Sequence, residues 1–290
     1  MEITAVVVTY NRLDLLKENI EALRNQIAPN FHILVVDNNS SDGTRDYLKG
    51  QEGDDLECLF LDENLGGAGG FFYGMKKAYE DGADAVWIMD DDTIPKEDAL
   101  ERLLEADEIL EHDYGFLASD VRWIDGSPCV MNRVHKLKEK KGSYERIDTA
   151  TFVSLFIPGE TIKQIGLPVK EYFIWGDDKE YTLRASDYKP CYFVPESRVL
   201  HKMKVNVGSN ICTDELNRID RYFYAYRNDY VTAKKRGKKS LGMYYLGFCL
   251  NFVRVLLKSK NGKQKRVAVM RKGLVAGRNF LNENKETDIM

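Results

Sequence analysis

The chain has 290 residues, of which 43% are hydrophobic and 11% aromatic, and its net charge is −4. This length and apolar content predict one large domain, or one domain with a smaller appendage, built around a sizeable core. The five cysteines include no CxxC pair, which argues against a disulfide framework and against a cysteine-ligated zinc site.

The charge is unevenly distributed along the chain. Residues 231–290 carry a net charge of +12, whereas residues 1–230 carry −16. A basic tail on an acidic body favours contact with an anionic surface, with a solvated helical face as the alternative. Because residues 258–272 lack interleaved aromatic side chains and the body is acidic, we do not expect nucleic-acid binding.

The first 120 residues alternate between short β-branched runs and stretches of helical periodicity. The predicted strands lie at 3–9, 32–37, 56–61, 84–90 and 114–120, and the predicted helices lie at 13–26, 42–50, 67–82 and 96–110. This alternation predicts parallel βαβ units and an α/β fold with both sheet faces covered. Ligands bind beyond the carboxyl ends of such strands, so four polar clusters should meet there, at 9–12, 37–40, 64–70 and 90–92.

The pattern of predicted strands and helices changes in the second half of the chain. Residues 121–150 form a polar excursion to which the sequence assigns no role, and further strands are predicted at 151–159, 190–195 and 198–202. A helix is predicted near 160–166, and from about residue 213 the pattern is helical to the end. We therefore divide the chain into an α/β domain over 1–205 and a basic helical region over 206–290.

The most apolar helical stretch, "LGMYYLGFCLNFVRVLL" at 241–257, is interrupted by Asn251 and Arg254, so a membrane span is not expected. The N-terminus does not read as a secretory signal, and we expect a cytoplasmic protein, peripheral on the inner face of the membrane. The basic side chains expected to meet anionic lipid are Arg254, Lys258, Lys260, Lys263, Lys265 and Arg266.

Three adjacent carboxylates, Asp90, Asp91 and Asp92, lie at the end of the predicted strand 84–90. In an extended segment side chains alternate, so Asp90 and Asp92 should point the same way and Asp91 the opposite way. Two carboxylates on one side suit a hard divalent cation such as Mg²⁺ or Mn²⁺. The alternative is a solvated turn in which Pro95 opens the next helix. That alternative leaves the three acids unexplained, so we favour a metal or ligand site.

Two more polar stretches follow predicted strands. Asp37, which ends the second strand, can accept a hydrogen bond from a base or a ribose hydroxyl, while Ser41 or Asp42 can cap the next helix. The stretch "NLGGAGGFFYGM" at 64–75 brings glycines to a helix N-terminus, which favours close approach to a diphosphate or sugar. A loop that merely needs a tight turn is the alternative. The dinucleotide motif GxGxxG fails because Phe72 takes its last position.

A second acidic focus lies in "YFIWGDDKEYTLRA" at 172–185. Asp177 with Glu180 fits a capping box, and a carboxylate at a helix start stays ionised and able to accept a proton. We therefore expect a general base among Asp177 and Asp178. His201, after a strand, is either structural or a third ligand beside the carboxylate pair.

Taken together, "VVVTYNR", "VVDNNSSDGT", "NLGGAGGF", "MDDDTIP", "WGDDKEYTLRA" and "YRNDYVTAKKRG" resemble the family 2 glycosyltransferases of GT-A fold over residues 3–236. The forms around the glycines and the second acidic focus are most similar to the UDP-galactofuranosyltransferases, and rhamnosyltransferases are close relatives. The resemblance implies a Rossmann-like, mostly parallel sheet with a C-terminal helical extension. In one departure from the galactofuranosyl pattern, Gly176 separates Trp175 from the acidic pair.

The resemblance also implies roles for individual residues. Asp90, Asp92 and His201 would hold Mn²⁺ or Mg²⁺, Asp178 would be the catalytic base, and Trp175 and Asp177 would line the acceptor site. The residues implied to hold the nucleotide, diphosphate and donor sugar are Thr9, Tyr10, Arg12, Asp37, Asn39, Asn64, Gly66, Gly67, Gly69 and Asp91.

The implied reaction is inverting transfer of galactofuranose from a UDP donor to a hydroxyl of a glycan or lipid-linked glycan, in cell-surface polysaccharide synthesis. A dTDP-rhamnosyltransferase on a similar acceptor is the alternative. A nucleotidyltransferase is disfavoured because "TYNRLD", and not a glycine-rich loop, follows the first strand. An inactive binding module is disfavoured because all the acids are present. The sequence is compatible with a homo-oligomer and does not decide the oligomeric state.

Overall fold

The computed structural model describes residues 1–28 and 30–283 of the chain. They form two compact units. The first comprises Met1–Glu171 and Asp178–Val207, and the second comprises Tyr172–Asp177 and the chain from Gly208 onward. The boundary within 172–178 divides the second acidic focus between the two units.

The first unit contains one ten-stranded mixed sheet in the order β3-β2-β1-β4-β9-β6-β10-β8-β7, with β5 paired to β10. The strands are β1 (Ile3–Thr9), β2 (His32–Asp37), β3 (Leu56–Phe60), β4 (Ala85–Asp90), β5 (Thr93–Pro95), β6 (Leu117–Arg122), β7 (His135–Lys141), β8 (Tyr144–Thr149), β9 (Leu155–Pro158) and β10 (Cys191–His201). Strands β3, β2, β1 and β4 are mutually parallel, whereas β9 is antiparallel to both of its neighbours.

The helices of the first unit cover both faces of this sheet. They are α1 (Leu13–Arg24), α2 (Thr44–Lys49), α3 (Gly66–Glu80), α4 (Ala99–Ile109), α5 (Gly159–Ile165) and α6 (Asp177–Tyr188), whose first residue belongs to the second unit. Successive residues of β1 alternate between two cores. Ala5 and Val7 join the core of α1 and α4, and Val6 and Val8 join the core of α3. This double coverage explains why the strand sequences are continuously apolar.

The register of the parallel strands builds the site edge. Thr9 lies opposite Asp37 where β1 and β2 end, and Val8 lies opposite Asp90 where β4 ends. The predicted convergence of the polar segments 9–12, 37–40 and 90–92 at the carboxyl edge therefore holds for these three strands.

Three elements differ from the sequence expectations. Pro95 does not open a helix but ends β5, and α4 begins only at Ala99. The excursion 121–150 contains the β7–β8 hairpin, which the sequence hides because β7 is "HKLKEKK" and almost wholly exposed. The two short strands expected at 190–202 form one strand, β10, whose pairing with β6 shifts register between Val194 and Arg198. That irregularity around Pro195 made one strand read as two.

The second unit is helical, with α7 (Tyr222–Lys235), α8 (Lys238–Lys258) and α9 (Lys263–Glu283). Its core includes Ile219, Tyr226, Val255 and Met270. Despite Asn251 and Arg254, α8 is long and apolar enough to cross a membrane by length and composition, and it is the one such helix in the described part of the chain.

Two of the basic side chains expected to face lipid are engaged within this unit instead. Arg266 is buried and donates hydrogen bonds to the carbonyl oxygens of Ile211 and Asp214. Lys265 pairs with Asp220 at 2.8 Å. Arg266 was therefore wrongly assigned to a basic surface, because a count of charges cannot separate a solvated cation from one buried inside the fold. Lys265 remains exposed, and its pair with Asp220 lies on the surface.

Candidate active site

The acidic triplet lies between β4 and β5 at the carboxyl edge of the sheet. Asp91 and Asp92 are only 3% and 4% exposed. The Thr9 hydroxyl donates to Asp91 Oδ2 at 2.8 Å, so Asp91 faces the end of β1. Arg12 lies with Nη1 at 3.3 Å from Asp91 Oδ1 and also pairs with Asp92. Thr9 and Arg12, which the sequence assigned to the nucleotide, thus hold the triplet in this structure, while Tyr10 beside them is exposed.

His201 reaches the triplet because of strand pairing. Antiparallel pairing of β5 with β10 sets Thr93 opposite His201, and the imidazole Nε2 lies 3.1 Å from Asp92 Oδ1. One donor atom from each of Asp90, Asp92 and His201 lies within 4.8 Å of the other two. The structure therefore brings together the three residues that the sequence named as metal ligands.

The chemistry of these three residues fits a divalent cation. Asp92 Oδ1 is buried and, among the described residues, has no hydrogen bond, although it lies at ion-pair distance from His201. A buried carboxylate oxygen without a hydrogen bond is costly unless a cation or donor meets it. Two carboxylates and an imidazole are a donor set suited to Mn²⁺, and to Mg²⁺ with water completing its shell.

Protonation equilibria in the cluster are strongly shifted. Removal of the Asp90 carboxyl group from water, with Asp92 nearby, raises its pKa to about 7. Burial raises the pKa of Asp91 to about 6, against the opposing effect of Arg12. Burial would also raise the pKa of Asp92, but the neighbouring His201 and Arg12 hold it below its ordinary value. Burial disfavours the His201 cation, yet Asp92, Cys129 and Asp90 raise the imidazole pKa to about 10. A bound cation would displace protons from this cluster.

The excursion 121–150 supplies a residue that orients His201. Imidazole Nδ1 lies 2.7 Å from Asn132 Oδ1, and the Asn132 amide nitrogen donates to Thr151 Oγ1 at 2.7 Å. The second contact fixes the amide with its oxygen toward the ring, so Nδ1 carries the proton and Nε2 faces Asp92. The Cys129 thiol also donates to Asn132 Oδ1. The sequence analysis missed Asn132, because no local pattern links it to a histidine 69 residues away.

The end of β2 is held by bonds within the protein. Asp37 is fully buried, with Oδ2 at 2.9 Å from Arg45 Nε and Oδ1 accepting from the Ser40 amide at 3.1 Å. Asn39 is exposed and adopts a positive φ of 63°. Its neighbour Asn38, which the sequence analysis did not single out, is buried.

Asn38 ties the end of β2 to the start of α3. Its amide nitrogen donates to Gly66 O at 2.8 Å, and its amide oxygen accepts from Leu65 N at 2.9 Å. The Asn64 side chain accepts from Gly66 N at 2.8 Å. These bonds set the direction in which α3 leaves the site edge.

The glycines expected in a loop lie within the first turns of α3, and several have packing roles. A Cβ at Gly69 would lie 2.4 Å from Leu65, and one at Gly70 would lie 2.4 Å from Val8 of β1. These glycines therefore let α3 pack closely against its own first turn and the sheet. A Cβ at Gly67 would meet nothing within 4 Å, so that backbone is open to a ligand.

The segment 172–177 of the second unit is held by α7. Phe173, Trp175 and Gly176 all have positive φ, at 64°, 64° and 90°. The buried Asn228 amide nitrogen donates to three carbonyl oxygens, at 2.6 Å from Trp175 O, 3.0 Å from Tyr172 O and 3.3 Å from Ile174 O. Positive φ is a strained conformation for the non-glycine residues Phe173 and Trp175, and the hydrogen bonds from Asn228 stabilise it. Strained backbone of this kind is common at ligand sites.

Aromatic contacts complete this segment. The Trp175 and Tyr222 rings meet edge-on at 5.1 Å. Asp177 is buried, whereas Asp178, in the first unit, is half-buried in the first turn of α6. The Asp178 carboxylate accepts from the Lys179 amide at 2.7 Å. Glu180, which the sequence pairs with Asp177 in a capping box, accepts from Arg184 Nε at 3.1 Å.

The family model for glycosyl transferase family 2 matches residues 4–159, more than half of the chain. The chain belongs to glycosyl transferase family 2. It is similar to galactofuranosyltransferase GlfT1 of Mycolicibacterium smegmatis, with 26% identity over 277 residues, which cover 85% of this chain and 88% of that protein.

Solved structures agree with the fold. S. aureus TarS 1–349 in complex with UDP-GlcNAc gives a TM-score of 0.58 at 15% identity, covering 100% of this chain and 76% of that one. The mannosyltransferase PcManGT of Pyrobaculum calidifontis, in complex with GDP-Man and Mn²⁺, gives 0.55 at 14% identity, covering 99% and 76%. The predicted GT-A fold and glycosyltransferase class are confirmed, and this family 2 protein is a glycosyltransferase.

Proposed function

We propose that this family 2 enzyme is an inverting, metal-dependent transferase that moves a sugar from a nucleotide diphosphate to a hydroxyl of a glycan or lipid-linked glycan. The observation that carries the proposal is the cluster of Asp90, Asp92 and His201. A half-buried and a buried carboxylate, with a buried imidazole whose donor atom converges with theirs, suit a cation that binds a diphosphate. Mn²⁺ or Mg²⁺ would supply neutralisation of charge on the departing diphosphate.

The chain's own residues would do the following. Asp178 accepts the proton of the acceptor hydroxyl while that oxygen bonds to the anomeric carbon. The bond from that carbon to the diphosphate oxygen breaks on the opposite face, which inverts the configuration. General base catalysis of this kind is typically worth about 10²–10⁴-fold. Trp175 and Asp177, on the segment held by Asn228, line the acceptor site.

The donor residues follow the edge of the sheet. Gly66, Gly67 and Gly69 with Asn64 would lie near the diphosphate and sugar, an assignment supported by the open space over Gly67. Tyr10 and Asn39 are exposed beside the ends of β1 and β2, where a nucleotide base and ribose would lie. Thr9, Arg12, Asp37 and Asp91 would hold the nucleotide from this edge, which the contacts of Thr9 and Arg12 with Asp91 and of Asp37 with Arg45 shape.

UDP-galactofuranose is the proposed donor, and cell-surface polysaccharide is the proposed destination. Both are supported by the similarity to GlfT1 over most of both chains. We propose a cytoplasmic location, with the protein peripheral on the inner face of the membrane where lipid-linked acceptors lie. A dTDP-rhamnose donor is the alternative, and the thermal unfolding experiment below distinguishes the two donors.

Thermal unfolding of the pure protein with UDP, TDP, GDP or CDP, each with and without Mn²⁺, tests this proposal. A ligand at 100 times its dissociation constant adds about 2.7 kcal/mol to the stability, or roughly 5–10 °C in Tm. A shift with UDP that needs Mn²⁺ supports the proposal and directs the transfer assay to UDP-galactofuranose. A shift with TDP alone would make dTDP-rhamnose the proposed donor. The absence of a shift with any nucleotide would contradict the proposal.

A further inference from the structure

One face of α8 carries large apolar side chains that are exposed. Their exposed fractions run from 44% to 76%, and the residues are Met243, Leu246, Leu250, Val253, Leu256 and Leu257. Together with Gly242 and Cys249, which are also exposed, we call them the α8 outer face. At 1.5 Å per residue, the outer face is roughly 22 Å long. Exposed apolar surface of this extent marks an interaction site.

The opposite face of α8 is already covered. Val255 is fully buried, the Tyr244 hydroxyl donates to Tyr226 O at 3.0 Å, and the Phe248 and Tyr226 rings pack at 5.6 Å. The helix therefore has apolar residues on both sides, one packed against its own unit and one exposed. Packing within the fold explains the first side and leaves the second unexplained.

The charge around the outer face has a single sign. Lys238 and Lys239 stand at one end of α8, and Lys258 and Lys260 stand at the other. Residues 238–282 contain eleven Lys/Arg and no Asp/Glu. An apolar strip bounded by lysines matches the boundary between acyl chains and anionic headgroups, where each cation near the surface adds attraction and long lysine side chains reach the phosphates.

We propose that the α8 outer face is a membrane-docking surface that lies along an anionic bilayer and inserts its apolar side chains below the headgroups. The binding unit is the apolar strip of α8 with lysines at its ends. Of the basic residues expected from the sequence, Lys258 and Lys260 belong to this unit, whereas Arg266 is buried. Interfacial helices have this distribution of an apolar face and flanking Lys/Arg. The proposal does not depend on which sugar the enzyme transfers.

A second copy of the chain fits the same face less well. Met243, Leu246, Leu250, Val253 and Leu257 follow the three-four spacing of a coiled-coil seam. However, the positions beside that seam are Gly242, Gly247, Cys249, Arg254 and Leu256, which offer no acidic partner for the lysines. Two such helices would bring lysine ends together in either orientation. A full span fits less well too, because α8 packs on α9, whose many Lys/Arg oppose entry into hydrocarbon.

The test is vesicle co-sedimentation of the full chain, without nucleotide or acceptor, on phosphatidylcholine vesicles with and without phosphatidylglycerol. The test variant is Leu246→Gln/Leu250→Gln. The matched control is Ile109→Gln/Ile124→Gln, which changes two equally exposed apolar residues of the first unit. We expect binding to the anionic vesicles to fall by about a hundredfold in the test variant, since each buried leucine contributes about tenfold. The control should bind as wild type.

Cys249 provides a second readout, because it is the exposed cysteine among the five. An environment-sensitive dye on Cys249 should shift to the blue on vesicle addition and be quenched more by spin labels near the headgroup than by labels near the chain end. Stronger quenching by the labels near the chain end would mean that α8 crosses the bilayer. No quenching by either label would mean that α8 stays in water. Either result overturns the proposal.

Two further results would also overturn it. Equal binding of the test variant, the control and wild type to the anionic vesicles would mean that the protein adsorbs by electrostatic attraction alone, without insertion of the leucines. A dimer in sedimentation equilibrium that only the test variant disrupts, with no vesicle binding, would assign the outer face to a second copy. Because no substrate is present, any of these failures leaves the proposed transferase activity standing.

Discussion

Replacement of Asn132 by alanine should weaken Mn²⁺ binding without removing any ligand. Asn132 Oδ1 accepts from His201 Nδ1 at 2.7 Å, in a site where the imidazole is only 7% exposed. Without that acceptor, a buried N–H loses its partner, which costs about 1–3 kcal/mol of folding stability. The ring also loses the bond that directs Nε2 toward Asp92, and loss of such a supporting bond typically costs about 10–100-fold in metal affinity.

The assay is a Mn²⁺ titration that follows the paramagnetic resonance of the free ion, on protein saturated with UDP. Asn132→Asp keeps an acceptor oxygen at the same position and should retain affinity near that of wild type. Asn206→Ala removes another asparagine that bonds the excursion, at Ser127 and Pro128, and should leave Mn²⁺ affinity unchanged. If folded Asn132→Ala bound Mn²⁺ within twofold of wild type, the positioning role of Asn132 would be refuted.

Four substitutions and a change of pH test separate parts of the molecule. Asp178→Asn should lower kcat by about 10²–10⁴-fold with KM little changed, and steady-state turnover within tenfold of wild type would exclude it as the base. Asn228→Asp sets a carboxylate against three carbonyl oxygens, and the loss of both N–H donors should lower the free energy of unfolding in urea by about 2 kcal/mol or more. Gly74→Ala puts a Cβ 2.5 Å from a β1 valine and should cost about 1–3 kcal/mol, whereas Gly67→Ala, with open space around it, should stabilise α3 by up to about 1 kcal/mol. Mn²⁺ affinity should rise with pH from 6 upward, since Asp90 and His201, with pKa values raised to about 7 and about 10, must each lose a proton to bind, and an affinity that calorimetry finds independent of pH would contradict this.

Much of the site edge was predictable because its signals are local. Each of β1, β2 and β4 ends on polar residues directly after an apolar run, and parallel strands must bring those ends to one edge. The role of β5 was not predictable, because three residues that include a proline give no strand signal. Its pairing with β10 depends on where the rest of the sheet puts that strand.

The sequence by itself determined the family, the parallel half of the sheet and the placement of Asp90 and Asp92 on one side of the chain, because periodicity and short motifs express contacts between near neighbours. Only the tertiary structure decided that Asn132 orients His201, that Asn228 holds the strained segment before α6, and that one apolar face of α8 is exposed while the other is packed. These features depend on contacts between residues far apart in the chain or on which helix covers which face. No run of residues encodes such relations until the chain has folded.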